Sequence, residues 1–573
     1  MDSILTLLAK VAREKPFDRA VVETCGVDYS GRQAYTHLTF SELDNLSSKM
    51  AEGFKNYGIT KGTKTALMVT PGLDFAALTF GLFKAGAIVV MIDPGMGIKN
   101  LGKCLEAAGP EAFVGIPKAH AARVILRWAP KTIKKLVTVG RRYFWGGKTL
   151  AEIADTPCKT ADTPCKTADE ALADSAGLTG SSDPVKELIE DFDALAAILF
   201  TSGSTGVAKG VEYTHKVFAS QVAYLRETFK FADRDVDLAT FPLFALFDPV
   251  LGITTVIPDM DSSRPASADP KKLIQAINDN GCTQMFGSPA LIDNLSRYGE
   301  KQDIQLKSMK RVISAGAPAR PDVLKRLAKM LGKCGEIHTP YGATESLPVS
   351  SISSNEILSD TWKETVIGGG TCVGKPCNSV DVYVIKITDS PVEKWSDELK
   401  VEDGEKGEIV VCGPVVTKKY YNNEKQTQLA KILDDEGRVY HRMGDIGRFD
   451  EKGRLWFCGR KSHRVQGTDK TFFSVPCEAV FNVHNKIFRS ALVGLGDKGN
   501  EEPLICVELE KNCSMSLSEE NAFFKELEDI ASSFSHTKEI KKFLIHPSFP
   551  VDVRHNAKIN REILKGWAKE ELQ

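Results

Sequence analysis

Short, unbroken apolar runs alternate with helical patterns over the first two thirds of this chain. Ala66 to Val69, Ala87 to Ile92, Leu195 to Phe200 and Arg311 to Ala315 are such runs, and Phe75 to Ala85 reads as a helix between the first two. A strand that is apolar at consecutive positions must be buried on both faces, which happens in parallel sheets covered by helices. An α/β architecture is therefore expected up to about residue 380. From about residue 400 the texture changes: Glu408 to Val411 and Arg454 to Phe457 read as strands, with glycine turns at Gly404 and Gly453. A mixed α/β segment dense in Lys and Glu follows Arg460. A domain boundary is therefore expected near Lys461, dividing residues 1–460 from residues 461–573. A length of 573 residues fits three or four compact units at about 100–200 residues each.

Charge and cysteine usage exclude several classes. Lys plus Arg is 74 and Asp plus Glu is 75, and that near-zero balance gives no hint of nucleic acid or an anionic membrane as partner. No basic run interleaved with aromatics is expected to bind nucleic acid. The 13 cysteines contain no CxxC pair, and the close pair Cys372 and Cys377 has no histidine cluster beside it, so reduced thiols are expected. Met1 to Asp18 reads as an amphipathic helix without the basic start and cleavage site of a signal peptide. The most apolar stretch, Phe75 to Ile92, is interrupted by Gly81, Lys84 and Gly86 and reads as a core helix running into a strand, not a membrane span. A cytoplasmic location with no transmembrane segment is expected. Residues 154–167 are a tandem ADTPCKT repeat; Pro157 and Pro164 exclude a coiled coil, leaving a surface loop.

Four separated motifs carry chemistry. The first, FTSGSTGVAKG, follows the apolar run ending at Phe200 and supplies Thr201, Ser202, Gly203, Ser204, Thr205, Gly206 and Lys209. Successive backbone N–H groups in such a loop form an anion cradle, and Lys209 adds charge. It is not a P-loop, which needs a hydroxyl after its lysine, whereas Gly210 follows here. The second, TPYGATES, offers the Tyr341 ring, Gly342, and the hard oxygens of Thr344 and Glu345. The third, His441 to Arg460, offers Asp445 in a glycine-flanked turn, suited to two ribose hydroxyls, and Arg460. The fourth, DVRHNAKINRE, places Lys558 near the C-terminus. Taken singly, a Ser/Gly linker, a capped turn and a surface lysine remain open readings.

In this order the four motifs resemble the adenylate-forming superfamily of acyl-CoA synthetases, luciferases and peptide-synthetase adenylation domains, over nearly the whole chain. The resemblance implies an α/β fold with a large N-terminal adenylation part, residues 1–460, of two αβ subdomains and a β-barrel-like subdomain, followed by a small mobile α/β lid domain, residues 461–573, and it implies ATP and Mg²⁺ as cofactors. The glycine loop would hold the β- and γ-phosphates while a carboxylate attacks the α-phosphate. It also implies that Thr344 and Glu345 hold Mg²⁺, and that Gly316, Ala317, Pro318, Tyr341 and Gly342 surround the adenine. Asp445 and Arg460 would hold the ribose. Lys558 would bridge carboxylate and α-phosphate, two anions that otherwise repel.

The chain departs from the CoA-using members in three places. Ala245, in FPLFALFDPVLG, occupies the place of a histidine or bulky aromatic gate; Ser462 stands where the family's domain rotation pivots on Asp or Lys; and the glycine of the loop beside the pantetheine channel is displaced to Gly467. The strings FPLFALFDPVLGITTVIPDMD, GRKSHRVQ and FPVDVRHNAKINRE resemble the β-lactone synthetases of bacterial long-chain olefin biosynthesis. That resemblance implies adenylation of a 2-alkyl-3-hydroxy fatty acid, then attack by its own hydroxyl, giving a β-lactone, AMP and pyrophosphate. It also implies a complex with other olefin-biosynthesis enzymes such as the β-lactone decarboxylase. A long-chain acyl-CoA or acyl-AMP ligase and a non-catalytic nucleotide-binding protein remain alternatives. Phe244, Phe247, Met285, Gly287 and Ser288 fall in segments that line the family's acyl pocket, and His215 is a weak candidate base with a structural role preferred.

Overall fold

The computed structural model describes residues 2–155, 191–201, 208–241, 244–332, 335–511, 513, 515–551 and 559–572. The ADTPCKT repeat falls almost wholly outside these residues.

The N-terminal helix Ile4–Glu14 is capped by Ser3, whose hydroxyl accepts from the Thr6 N–H at 3.1 Å. Its Ile4, Leu5, Leu8 and Val11 face the core, as the amphipathic pattern requires. Among the described residues the first sheet has seven strands in the order Lys148–Thr149, Lys135–Thr138, Ala112–Gly115, Lys64–Met68, Ile88–Ile92, Leu195–Thr201 and Lys209–Thr214. All pair in parallel except the last two, which are antiparallel, with Thr201 opposite Lys209.

The apolar run that ends at Ile92 divides as expected into helix Leu73–Lys84 and strand Ile88–Ile92. Lys84 is buried, and its amine donates to Asp44 Oδ1 at 2.6 Å, to the Asp44 carbonyl and to the hydroxyls of Ser47 and Ser48. That cluster turns a charge in an apolar helix into a clamp between two helices. Among the described residues no helix is long and apolar enough to cross a membrane.

The second sheet begins with a parallel αβ layer. Strands Arg19–Val27, Thr254–Ile257, Val236–Ala239, Gln284–Gly287, Arg311–Ser314 and Glu336–Ala343 pair in parallel in that order, with Gln33–Thr39 antiparallel at the outer edge. The sheet continues without a break through antiparallel strands Ser346–Ser353, Thr371–Pro376, Leu455–Arg460, Val439–Phe449, Gly407–Cys412 and Asp381–Ile385. The β-rich unit thus starts earlier than the turn glycines suggested. Ser346–Ser353 is already antiparallel, and its alternating burial was masked by a polar run of serines. Beyond Arg460, strands Ile487–Leu495, Glu502–Leu509 and Lys542–Ile545 form a separate sheet. Phe481, Phe523, Leu527 and Ile505 pack a core of their own there.

Replacing Asp44 by Ala leaves a buried ammonium with fewer partners, which costs about 3 kcal/mol for a pair of this kind. Asp44→Ala should lower the thermal midpoint clearly, and adding Lys84→Met should restore most of the loss in a circular dichroism melt.

Candidate active site

The site forms where the two sheets meet, and a short segment, residues 416–421, holds them together. On one edge Tyr420 pairs with Val211, the Tyr421 N–H donates to the Gly210 carbonyl at 2.8 Å, and the Glu212 N–H donates to the Lys419 carbonyl at 3.3 Å. On the other edge Val416 pairs with Ser346, and the Thr417 N–H donates to the Glu345 carbonyl at 2.9 Å. The strand carrying Lys209 is thereby fixed beside the turn carrying Thr344 and Glu345. Tyr213, two residues beyond Val211, donates its hydroxyl to the Thr344 carbonyl.

Side chains reinforce this junction. Tyr420 donates its hydroxyl to Glu345 Oε1 at 2.7 Å, and the Lys209 amine lies 5.0 Å from the centroid of the Tyr420 ring. A second amine, Lys431, lies 5.9 Å from the same ring and donates to the carbonyl and hydroxyl of Thr417. Burial pushes Lys431 down to about 7, against the pull of Glu345. Burial lowers Lys209 too, again opposed by Glu345. The nearby His441 is held well below its usual range by burial and by Lys431. Two amines that pay for desolvation around one carboxylate form a place where an added polyanion would be favourable.

The second half of the site lies at the carboxyl ends of two adjacent parallel strands. Ile313 pairs with His338, so the loop at Gly316, Ala317 and Pro318 leaves its strand beside Tyr341 and Gly342. Gly316 has φ of 100°, a conformation that excludes most side chains. The Tyr341 hydroxyl donates to Asp445 Oδ2 at 2.7 Å. Asp445 Oδ1 faces Arg460 Nη1 at 2.8 Å yet accepts no well-directed hydrogen bond. Asp445 and Arg460 sit opposite each other on paired strands. Burial raises the Asp445 carboxyl, and Arg460 opposes that shift.

The remaining expected residues divide. Ser202, Gly203, Ser204, Thr205, Gly206 and Lys558 lie outside the described residues, as do the side chains of Thr201, Phe244 and Ala245. Phe247 and Met285 are both buried but in different cores: Phe247 packs with Phe286 and Ile313, while Met285 packs with Leu291, Val312 and Ile337 on the other face. Strand alternation places Phe286, not Met285, on the Phe247 side, where its ring lies 5.9 Å from Phe241. Gly287 shares the Met285 side, since a Cβ there would meet Ile292 at 3.2 Å. Ser288 caps helix Pro289–Lys301 by accepting from the Leu291 N–H at 3.3 Å. His215 is buried against Phe83 and pushed down to about 4, as a core histidine would be. After Arg460, the Lys461 amine sits on buried Glu408 at 2.9 Å and on the Thr388 carbonyl at 2.9 Å. The adjacent Asp389 binds Arg464 and Lys498, each at 2.7 Å.

These features fit a nucleotide triphosphate. Asp445 Oδ1, ion-paired with Arg460 at 2.8 Å, keeps lone-pair capacity with which it can accept from a ribose hydroxyl. Glu345 spends one oxygen on Tyr420, and the other leaves a single carboxylate of the kind that shares Mg²⁺ with phosphates. Tyr420 and Thr417 escaped the sequence analysis because each acts through Glu345, more than seventy residues away in the chain. Only the buried position of a lysine between Ala430 and Ile432 could have flagged Lys431.

Residues 8–421 match the family of AMP-binding enzymes. The chain is 44% identical to the olefin beta-lactone synthetase of Xanthomonas campestris pv. campestris, over 99% of this chain and 98% of that protein. It is also 44% identical to the olefin beta-lactone synthetase of Stenotrophomonas maltophilia, over 100% and 99% of the two chains. Among solved structures, the amide bond synthetase McbA from Marinactinospora thermotolerans superposes with a TM-score of 0.75 at 18% identity, covering 99% of both chains. The chain belongs to the AMP-binding enzymes, the adenylate-forming family, and is an AMP-forming synthetase by family.

Tyr420→Phe removes one hydrogen bond to a carboxylate, worth about 1.5–3 kcal/mol when buried. The expected outcome is a kcat/KM for ATP about tenfold lower or more, with a higher Mg²⁺ requirement and a modestly lower melting temperature, read by pyrophosphate release across a Mg²⁺ titration and by a circular dichroism melt.

Proposed function

We propose that this enzyme converts a 2-alkyl-3-hydroxy fatty acid and ATP, with Mg²⁺, into a β-lactone, AMP and pyrophosphate. The observation that carries this reading is the 44% identity, end to end, with two olefin beta-lactone synthetases. The site supports it with a preformed ribose clamp and two amines around a metal-competent carboxylate.

In the first step a carboxylate oxygen attacks the α-phosphorus and the bond to the β-phosphate oxygen breaks, releasing pyrophosphate. Lys209 and the glycine loop neutralise the leaving phosphates, while Asp445 and Arg460 hold the ribose and so fix the α-phosphate. Thr344 and Glu345 would hold Mg²⁺, which would supply charge neutralisation at the phosphates. Lys558, carried over from the family's motif, bridges the two reacting anions. In the second step the 3-hydroxyl oxygen attacks the carbonyl carbon, the carbon–oxygen bond to AMP breaks, and the hydroxyl proton leaves to the phosphate or to solvent. Holding nucleophile and electrophile in one molecule removes the entropy cost of a second substrate. Residues 461–573 serve as the lid. The enzyme works in the cytoplasm, in a complex with other olefin-biosynthesis enzymes.

The corresponding acid without a 3-hydroxyl tests this reading. It should release about one pyrophosphate per site in a burst and then stall as bound acyl-adenylate, and added CoA should not restore turnover. The hydroxy acid should yield lactone and AMP with no thiol present. Rapid CoA-dependent thioester formation from the deoxy acid would instead establish an acyl-CoA ligase.

A further inference from the structure

The near-neutral balance of the whole chain conceals one segment of opposite character. Between residues 112 and 151 there are nine Lys or Arg residues and no Asp or Glu, in a protein whose net charge is −1. This segment includes RRYFWGGK, a basic run with interleaved aromatics that the sequence reading passed over.

The fold puts the segment at one margin of the first sheet. Helix Pro117–Ile125 packs beside strands Ala112–Gly115 and Lys135–Thr138, and the loop 139–147 lies along that helix. Trp145 anchors the loop: its ring stacks on His120 at 5.2 Å with 5° between the planes, and its N–H donates to Thr138 Oγ1 at 2.9 Å. With Trp145 fixed, its neighbours are turned outward, and Phe144 is 78% exposed. Val124 lies one helical turn beyond His120 and begins an exposed aliphatic run in which Ile125 is 76% exposed and Leu126 follows. Arginines flank these groups: Arg141 lies over the Tyr143 ring at 5.4 Å, and exposed Arg127 follows Leu126.

We propose that this surface docks the protein peripherally on an anionic lipid bilayer. Exposed aromatic and aliphatic groups rimmed by arginines match an interface of acyl chains and negative headgroups. A nucleic acid would satisfy the charge but not the bare Ile125, Leu126 and Phe144. The surface is built by described residues other than those of the nucleotide site, so it adds a location to the activity and not a step.

The test is co-sedimentation of the full-length protein with vesicles of phosphatidylcholine alone or mixed with phosphatidylglycerol. Wild type should sediment with the mixed vesicles, weakly with the neutral ones, and less at high salt, where screening is short-ranged. Arg127→Glu with Arg141→Glu, and separately Ile125→Ser with Phe144→Ser, should each weaken binding at least tenfold, with unchanged melting and unchanged pyrophosphate release from a water-soluble acid. Failure to sediment with anionic vesicles, or variants that sediment like wild type, would overturn the proposal. So would a dimer in analytical ultracentrifugation that the variants abolish while vesicle binding is absent, or nucleic-acid retention in place of vesicle binding.

Discussion

The hydrogen bond from Tyr420 to Glu345, and the backbone pairing that delivers it, is the constraint on which the rest of the site depends. Among the described residues, neither sheet alone brings together the groups of the site. One contributes Lys209 and the strand that ends at Thr201; the other contributes Thr344, Glu345, Tyr341, Asp445 and Arg460. Residues 416–421 bond to Gly210 and Glu212 on one side and to Glu345 on the other, so the cation and the carboxylate are brought together by main chain rather than by their own attraction. That matters because a bare lysine–carboxylate pair would collapse to a contact and leave nothing for a ligand. Tyr420 takes one Glu345 oxygen, and its ring is the surface beside which both amines lie.

Burial sets the electrostatics. Lys209, Lys431 and Asp445 all have their charged forms disfavoured by desolvation, and each is partly rescued by an opposite charge across the site. A site in that condition gains from an incoming polyanion and its counter-ion. Beyond the site, the turn at Thr388 and Asp389 gathers Lys461, Arg464 and Lys498, so the chain on both sides of the third sheet's first strand is tied to the β-rich unit by charge. Salt links of this kind exchange with water at modest cost, unlike an apolar seam.

Much of this was legible beforehand. The apolar runs at Leu195 and Arg311 became parallel-sheet strands, and the motif residues Tyr341, Glu345, Asp445 and Arg460 lie around one site. Two kinds of feature were not legible. Long-range partners such as Tyr420 and Lys431 carry no local pattern, because their roles arise only when strands distant in sequence pair. The facing of Gln284–Gly287 was not legible either: Met285 and Phe286 are equally apolar, and only the observed strand shows that Phe286 shares the Phe247 side. The basic margin was hidden by averaging charge over the chain.

The central claim is the order of bond making: the carboxylate is activated on phosphorus, and the hydroxyl then closes the ring. Labelling both carboxylate oxygens of the 3-hydroxy acid with oxygen-18 tests it directly by mass spectrometry of both products. AMP should carry one labelled oxygen, and the lactone should retain one, at its carbonyl. Unlabelled AMP with both labels kept in the lactone would mean that the hydroxyl was the activated group and the carboxylate the nucleophile, and would contradict the account.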